Sequence, residues 1–304
     1  MNDNVTLVVS SCDKYSTAWR PYFELVKKFW PEHPERIYLI SESKQYVDSE
    51  LNIQCVNYPE SYTWSERLYH TLEKIDTEYI IFSLEDFFLL GPVKQEVIDR
   101  CIGWMDENQE IAECRLSAWC ARDLDEYWRL GSSFRIAGPE VPFRLDTQIA
   151  IWRRTDLMSF IDLKETPWQF EGWGTERIKG TNKIFLWHYQ DDYSDITKMP
   201  FPYLIEQAKG YGIAWGHWLW NNRAWFKECG IHGVQYWRLG TISERCARHR
   251  FKYLYDPAME NRRSIAKTYY NLCRQAKYAW HNLLSMGLTK GIKKSLKTLK
   301  KHLK

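Results

Sequence analysis

Two periods of apolar residues alternate along the first hundred positions. VTLVVSS (5–11) is a β-branched apolar run ending in small polar residues, the pattern of a first α/β strand. Trp19, Tyr22, Phe23, Val26 and Trp30 then recur at helical spacing, and Pro31 closes the segment. RIYLISE (36–42) and IQCVNYP (53–59) read as the next two strands. TWSERLYHTLEKI (63–75) reads as a helix with Thr63 or Ser65 as its cap and Leu68, Leu72 and Ile75 as its inner stripe. EYIIFSL (78–84) is a strand that delivers Glu85 and Asp86 at its carboxyl end. This β-α-β-β-α-β order predicts an α/β fold with a mixed, mostly parallel sheet flanked by helices.

The pattern loosens afterwards. ECRLSAW (113–119) and DTQIAIW (146–152) read as strands and TDLMSFI (155–161) as a short helix. TPWQFEGWGTERIKG (166–180) reads as a Gly- and Trp-bearing loop leading into a helix, and GYGIAWGHWLWNNRAWF (210–226) as irregular. Residues 258–304 have helical periodicity throughout. The chain therefore divides into an α/β body over 1–240 and a helical extension over 241–304.

In open α/β sheets ligands bind beyond the carboxyl ends of the strands. Ser10, Ser11 and Asp13 leave the first strand there, Glu42 the second, and Glu85–Asp86 the fourth. Burying two adjacent carboxylates costs several kcal/mol unless a positive group meets them, so the expected place for this pair is the mouth of a cleft. A cap, a salt bridge and a divalent-metal site all account for such a pair. Mg²⁺ is commonly held by one or two carboxylates plus substrate phosphates.

Charge changes the picture at the end of the chain. The net charge of +3 hides 16 Lys and Arg against 3 acids over 241–304, which leaves the first 240 residues acidic. On a helical projection Leu288, Ile292, Leu296, Leu299 and Leu303 fall within an arc of roughly 80°, with seven lysines opposite. A leucine stripe backed by lysines over 286–304 suits the anionic inner surface of a cell membrane. That stretch (288–304) holds no Phe, Tyr or Trp, which argues against a nucleic-acid binder. Eight cysteines without a Cys-x-x-Cys pair fit a reducing compartment. With no signal-peptide pattern at the start and no run of 18 apolar residues, the expected location is cytoplasmic, peripheral at that membrane. The 16 Trp and 19 Tyr offer flat faces suited to sugars and bases as well as to a core.

TWSERLYHTLEKIDTEYIIFSLEDFFLLGPV (63–93), followed by RLDTQIAIWRRTDLMSFI and PWQFEGWGTERI, resembles bacterial nucleotide-sugar glycosyltransferases of the GT-A fold that build capsule, lipopolysaccharide or other surface glycans. The similarity runs over about 5–240. It implies a nucleotide-binding half at 1–110 and an acceptor half at 111–240, acting on a nucleotide-sugar donor and a glycan or lipid-linked acceptor. In that family a strand-end acidic motif binds Mn²⁺ or Mg²⁺, and here Glu85 and Asp86 match it, with Leu84 where many members carry the first acid. Asp86 becomes the implied metal ligand. Ser10, Ser11, Asp13 and Glu42 match base- and ribose-binding positions, and Arg67 a basic position near the diphosphate. An inverting transferase needs a base for the acceptor hydroxyl. Glu171 matches it, with Glu176 and Asp146 as rivals and Trp168 and Trp173 as faces for the acceptor sugar. His217 follows a Gly-rich bend that closes over the site.

Two other classes compete. A nucleotidyltransferase or phosphohydrolase uses a similar acidic strand end, but its first loop is commonly Gly-rich and SSCDKYS has no glycine. A non-catalytic nucleotide- or nucleic-acid-binding protein uses the basic tail and leaves the acids unexplained.

Overall fold

β1 (Val5–Ser10) is buried at every position and forms the spine of an eight-stranded sheet. In the computed structural model, which describes residues 4–117, 124, 128, 132–192, 195–203, 212–214, 217–219 and 221–236, it pairs in parallel with β2 (Ile37–Ser41) and β4 (Tyr79–Leu84). A strand covered on both faces needs a continuous apolar run rather than an alternating one, as VTLVV supplies. β3 (Ile53–Asn57) extends the parallel half beyond β2. On the other side of β4 come β7 (Ala150–Arg153), β5 (Ile111–Arg115), β8 (Ile184–His188) and β6 (Phe134–Ile136). β7 is antiparallel to both β4 and β5, and β6 is antiparallel to β8. The fold is thus a mixed, mostly parallel sheet flanked by helices, as predicted.

α2 (Trp64–Leu72), α4 (Arg154–Phe160) and α5 (Pro167–Arg177) bury Leu68, Leu72, Leu157, Phe160 and Phe170 against Val8, Phe82, Trp152, Phe185 and Trp187 on one face of the sheet. α1 (Trp19–Phe29) reaches the sheet through the Tyr22 hydroxyl on Ser83. α3 (Gln95–Glu107) packs on β5 and β7. α2 starts where its sequence specifies: Thr63 and Glu66 cap one another reciprocally, at 3.0 and 2.6 Å.

Several local expectations need correction. Residues 166–180 open as a helix rather than a loop, because Thr166 and Gln169 form a second capping box with Pro167 at the first helical position. The glycines that argued for a loop, each costing about 1 kcal/mol against Ala, have a packing role at Gly174. A Cβ there would lie 2.5 Å from Leu145 Cδ2. The segment 210–226, read as irregular, contains the antiparallel pair β9 (Ile213–Ala214) and β10 (His217–Trp218), followed by α6 (Asn221–Glu228). Gly212 enters it at φ 104, a conformation open to glycine, and the Asn222 amide binds both its N–H and its carbonyl. β7 begins at 150 rather than 146, so residues 146–149 are free to bend across the sheet edge. β5 occupies 111–115 rather than 113–119.

The chain forms two compact units, Met1–Trp237 and Arg238–Lys304. The second, with the helical extension and the amphipathic stretch at 286–304, lies outside the described residues. Among the described residues no helix is long and apolar enough to cross a membrane.

Gly174→Ala should lower unfolding stability by about 1–3 kcal/mol through overpacking on Leu145. Gly180→Ala, where a Cβ meets nothing within 4 Å, should stay within about 0.5 kcal/mol of the parent. Urea unfolding of the two variants checks both values.

Candidate functional site

The register of β7 builds the site. Because Phe82 of β4 and Arg115 of β5 both pair with Ala150, the residues entering β7 arrive at the edge that β4 and β5 leave. Glu85–Asp86, Asp146–Gln148 and Arg115–Ser117 therefore share one edge with the ends of β1 and β2.

On the β1–β2 side the expected nucleotide-binding residues are joined to one another. The Asp13 carboxylate accepts the backbone N–H groups of Glu42, Ser43 and Lys44 at 3.0–3.2 Å, and the Ser43 hydroxyl at 2.5 Å. Burial opposes ionisation of Asp13, but these donors outweigh it and hold the carboxyl down at about 2. Glu42 accepts the Asp13 N–H and is ion-paired to Arg67, which also donates to the Tyr62 carbonyl. Arg67 is half-buried in this network. Ser10 accepts the Trp64 indole N–H at 2.9 Å and Ser11 that of Trp19 at 2.7 Å.

Glu85 and Asp86 lie at the carboxyl edge as expected, but not at an open mouth. They are 6% and 9% exposed. Burial lifts Glu85 well above the ordinary carboxylate range, and the Asp86 charge adds to the lift. Burial also raises Asp86, to about 6, against a hydrogen bond from the Ile213 N–H at 3.1 Å. Glu85 also acts on Cys12 and Tyr15: burial, then Glu85 and Glu42, push the Cys12 thiol up to about 11. That Ile213 contact comes from β9, and Trp218 of β10 stacks on Phe88 at 5.7 Å, so the Gly-rich segment does lie against the acidic strand end. His217 falls on β10; its side chain is not among the described features.

No group of three or more His, Cys, Asp or Glu side chains among the described residues is arranged to hold a metal ion. Two adjacent carboxylates that are buried, repel each other and have no cationic partner among the described residues nonetheless suit a divalent cation completed by water and phosphate oxygens.

Across the edge stands a second set of acids. Glu171, half-exposed on α5, accepts the N–H and hydroxyl of Thr147 at 3.2 and 2.5 Å. Asp146 is buried and accepts the Gln148 N–H at 3.0 Å. Phe170, next to Glu171, is committed to the core, whereas Trp168 is 78% exposed one turn before Glu171. Trp173 is half-buried and, two residues from Glu171 on a helix, projects from a different side. Glu176 is exposed, and Arg177 pairs not with it but with both oxygens of buried Glu165, at 2.7 and 2.9 Å. His188 is buried beside Phe134 with Nδ1 unbonded; burial pushes it down to about 4.

Sequence reasoning missed Glu113, Arg115 and Tyr203. Arg115 and Glu113 are both fully buried, and Tyr203 donates to Gln148 while stacking on Phe87 at 4.3 Å. The available signal was the alternation of charged and apolar residues in ECRLS, which puts Glu113 and Arg115 on one face of a strand.

No protein-family model matches the sequence, and no curated protein matches it. Solved structures with a similar backbone include a mannosyltransferase from Pyrobaculum calidifontis in complex with GDP-Man and Mn²⁺, at 8% identity and TM-score 0.43 over 62% of this chain and 55% of that one. A cytidylyltransferase from Leptospira borgpetersenii matches at 11% identity and TM-score 0.39, over 62% and 76% of the two chains. Glucosyl-3-phosphoglycerate synthase from Mycobacterium tuberculosis, in complex with Mn²⁺ and UDP-glucose, matches at 10% and 0.36, over 64% and 74%. At these values the likeness concerns the path of the backbone alone.

The raised carboxyls at the end of β4 have a consequence for stability. At Asp86 the folded chain holds a proton that the unfolded chain releases near pH 4, so its stabilisation is complete below that pH and is lost as pH rises through about 6. Asp86→Asn should flatten this decline: in EDTA the melting temperatures of the two proteins should diverge in favour of the variant between about pH 4 and 6 and then change little up to pH 8.

Proposed function

We propose that this chain is a glycosyltransferase that moves a sugar from a nucleotide-diphosphate donor to a glycan or lipid-linked acceptor in surface-polysaccharide synthesis, with inversion at the anomeric carbon. The observation that carries this reading is the pairing of two acid sets on one sheet edge: Glu85–Asp86 on the side of β1 and β2, and Glu171 above the Asp146–Thr147 bend on the other. A transferase of this kind needs a place for a diphosphate and, facing it, a base for a hydroxyl.

On this reading Ser10, Ser11, Asp13, Glu42 and Arg67 form the wall that receives the nucleoside. Their bonds to each other and to Trp19 and Trp64 fix its shape before the donor arrives. Asp86, with Glu85 beside it, would hold Mn²⁺ or Mg²⁺, which supplies positive charge to the diphosphate leaving group. Glu171 accepts the proton of the acceptor hydroxyl; the hydroxyl oxygen bonds to the anomeric carbon, and the bond to the diphosphate oxygen breaks with its electron pair. Thr147 orients the carboxylate by binding one oxygen. Exposed Trp168 on the same helix offers the acceptor sugar a flat face, and Trp173 of α5 and His217 of β10 are assigned to the same acceptor. The lysine-backed leucine stripe over 288–304 supports docking on an anionic membrane, where lipid-linked acceptors reside. A nucleotidyltransferase is less well supported: the first loop has no glycine, and Asp13 closes it onto residues 42–44.

The test is a thermal-shift panel of UDP-, GDP-, dTDP- and CMP-sugars with and without Mn²⁺. One nucleotide should stabilise the protein only with the metal, and Asp86→Ala should abolish the shift. Glu171→Gln should keep the shift yet lower sugar transfer by about 100-fold or more. No response to any nucleotide sugar would overturn the reading.

A further inference from the structure

Two carboxylates of the acceptor half, Glu113 and Asp146, converge on one guanidinium. Arg115 is fully buried, with its charge centred 3.3 Å above the Trp187 ring. Its Nε lies 3.5 Å from Glu113 Oε1, and Nη2 donates to the Phe143 carbonyl at 3.1 Å. That carbonyl is held in place by an uncommon backbone, with Phe143 at φ 59. Nη1 stands 3.1 Å from Asp146 Oδ2 yet makes no hydrogen bond of acceptable geometry. The orientation of the fork is set by the Trp187 stack, Glu113 and Phe143, and Asp146 receives the charge without the bond.

Glu113 is better served. Burial raises its carboxyl, but Arg115, the Trp187 indole N–H donating at 3.0 Å and the Arg144 charge all oppose the rise. Asp146 faces Arg115 and Glu113 from β5, Glu171 from α5 and the Tyr203 phenol from the 195–203 stretch, with the Gln148 N–H from its own bend. Ionising Asp146 would therefore put another negative charge in a buried site already holding Glu113 and next to Glu171, with Arg115 shared. Such a charge is costly without a charge-assisted hydrogen bond.

We propose that Asp146 is a positioning residue that keeps a proton through the reaction, so that Glu171 alone carries the negative charge that receives the acceptor's proton, and that Glu113 maintains this state by sharing Arg115. Burial lifts the Asp146 carboxyl to about 8, Arg115 opposes the lift, and Glu113 and Glu171 add to it. The Asp146 proton is not transferred; the acceptor's proton goes to Glu171. Ionised Asp146 would set a second negative charge against the one growing on the leaving diphosphate. Its role in catalysis rests on the glycosyltransferase reading; its protonation does not.

Infrared spectra of the intact protein at pH 7 test the proton directly. In the parent-minus-Asp146→Asn difference spectrum a protonated-carboxyl C=O band should be present and should titrate away near pH 8, whereas the Glu85 carboxyl is common to both proteins and cancels. Glu113→Gln leaves Arg115 to Asp146 alone, so the band should be lost at lower pH. In sugar transfer, Asp146→Asn should cost less than about tenfold at pH 6.5 and abolish the fall in rate above pH 8, while Glu113→Gln moves that fall downward. No band difference at pH 7, or a loss of about 100-fold in Asp146→Asn at pH 6.5 with Glu171→Gln still active, overturns the proposal. A parent that shows the band but transfers no sugar would overturn the catalytic role and the glycosyltransferase reading, leaving the retained proton established.

Discussion

The insertion of β7 between β4 and β5, antiparallel to both, is the constraint on which the site depends. It satisfies the ladder hydrogen bonds of two central strands and, by its direction, carries Asp146–Gln148 to the edge where β4 ends. A parallel β7 would deliver the same residues to the opposite edge, about 13 Å away over four residues. Gly174 serves the same arrangement from the helix side. Its missing Cβ lets α5 settle on Leu145, and so brings Glu171 to Thr147.

One edge then sustains carboxyl groups in opposed states. Asp13 meets three backbone N–H groups and a hydroxyl and stays strongly acidic, whereas Asp86 meets one such N–H from β9 beside a second buried acid and is raised. Burial and donors together make the difference: Asp86 is buried and Asp13 only partly, and each N–H stabilises the charge that burial penalises. The first acid shapes the loop at 42–44. The second retains unmet affinity for positive charge, which is what a binding site for a metal-bound diphosphate requires.

The tryptophans serve this edge mostly through their N–H groups. Trp64 holds Ser10, Trp19 holds Ser11, Trp187 holds Glu113 and Trp225 the Leu89 carbonyl. Each buries a large apolar face in the core and extends one donor to a polar group that would otherwise be costly to bury. Among the described residues, the aromatic content that invited a sugar-binding explanation is thus largely a scaffold, with Trp168 as the exposed tryptophan.

What the sequence determined by itself is the local part. The first four strands, α2 with its Thr63 cap, and the delivery of Ser10, Asp13, Glu42 and Glu85–Asp86 to one edge follow from periods of two and 3.6 and from strand polarity, which act over a few residues. The Thr166–Gln169 capping box was equally local, and the two glycines of α5 obscured it. Tertiary structure alone decided that the strand-end acids are buried, that Arg67 is joined to Glu42, and that Glu113 and Asp146 share Arg115. Those outcomes depend on which strands pair across 30 to 70 residues, as Arg115 with Ala150 and Phe82 with Ala150 do. Period and propensity carry no record of such pairings, because the register is chosen by the joint packing of both faces of the sheet.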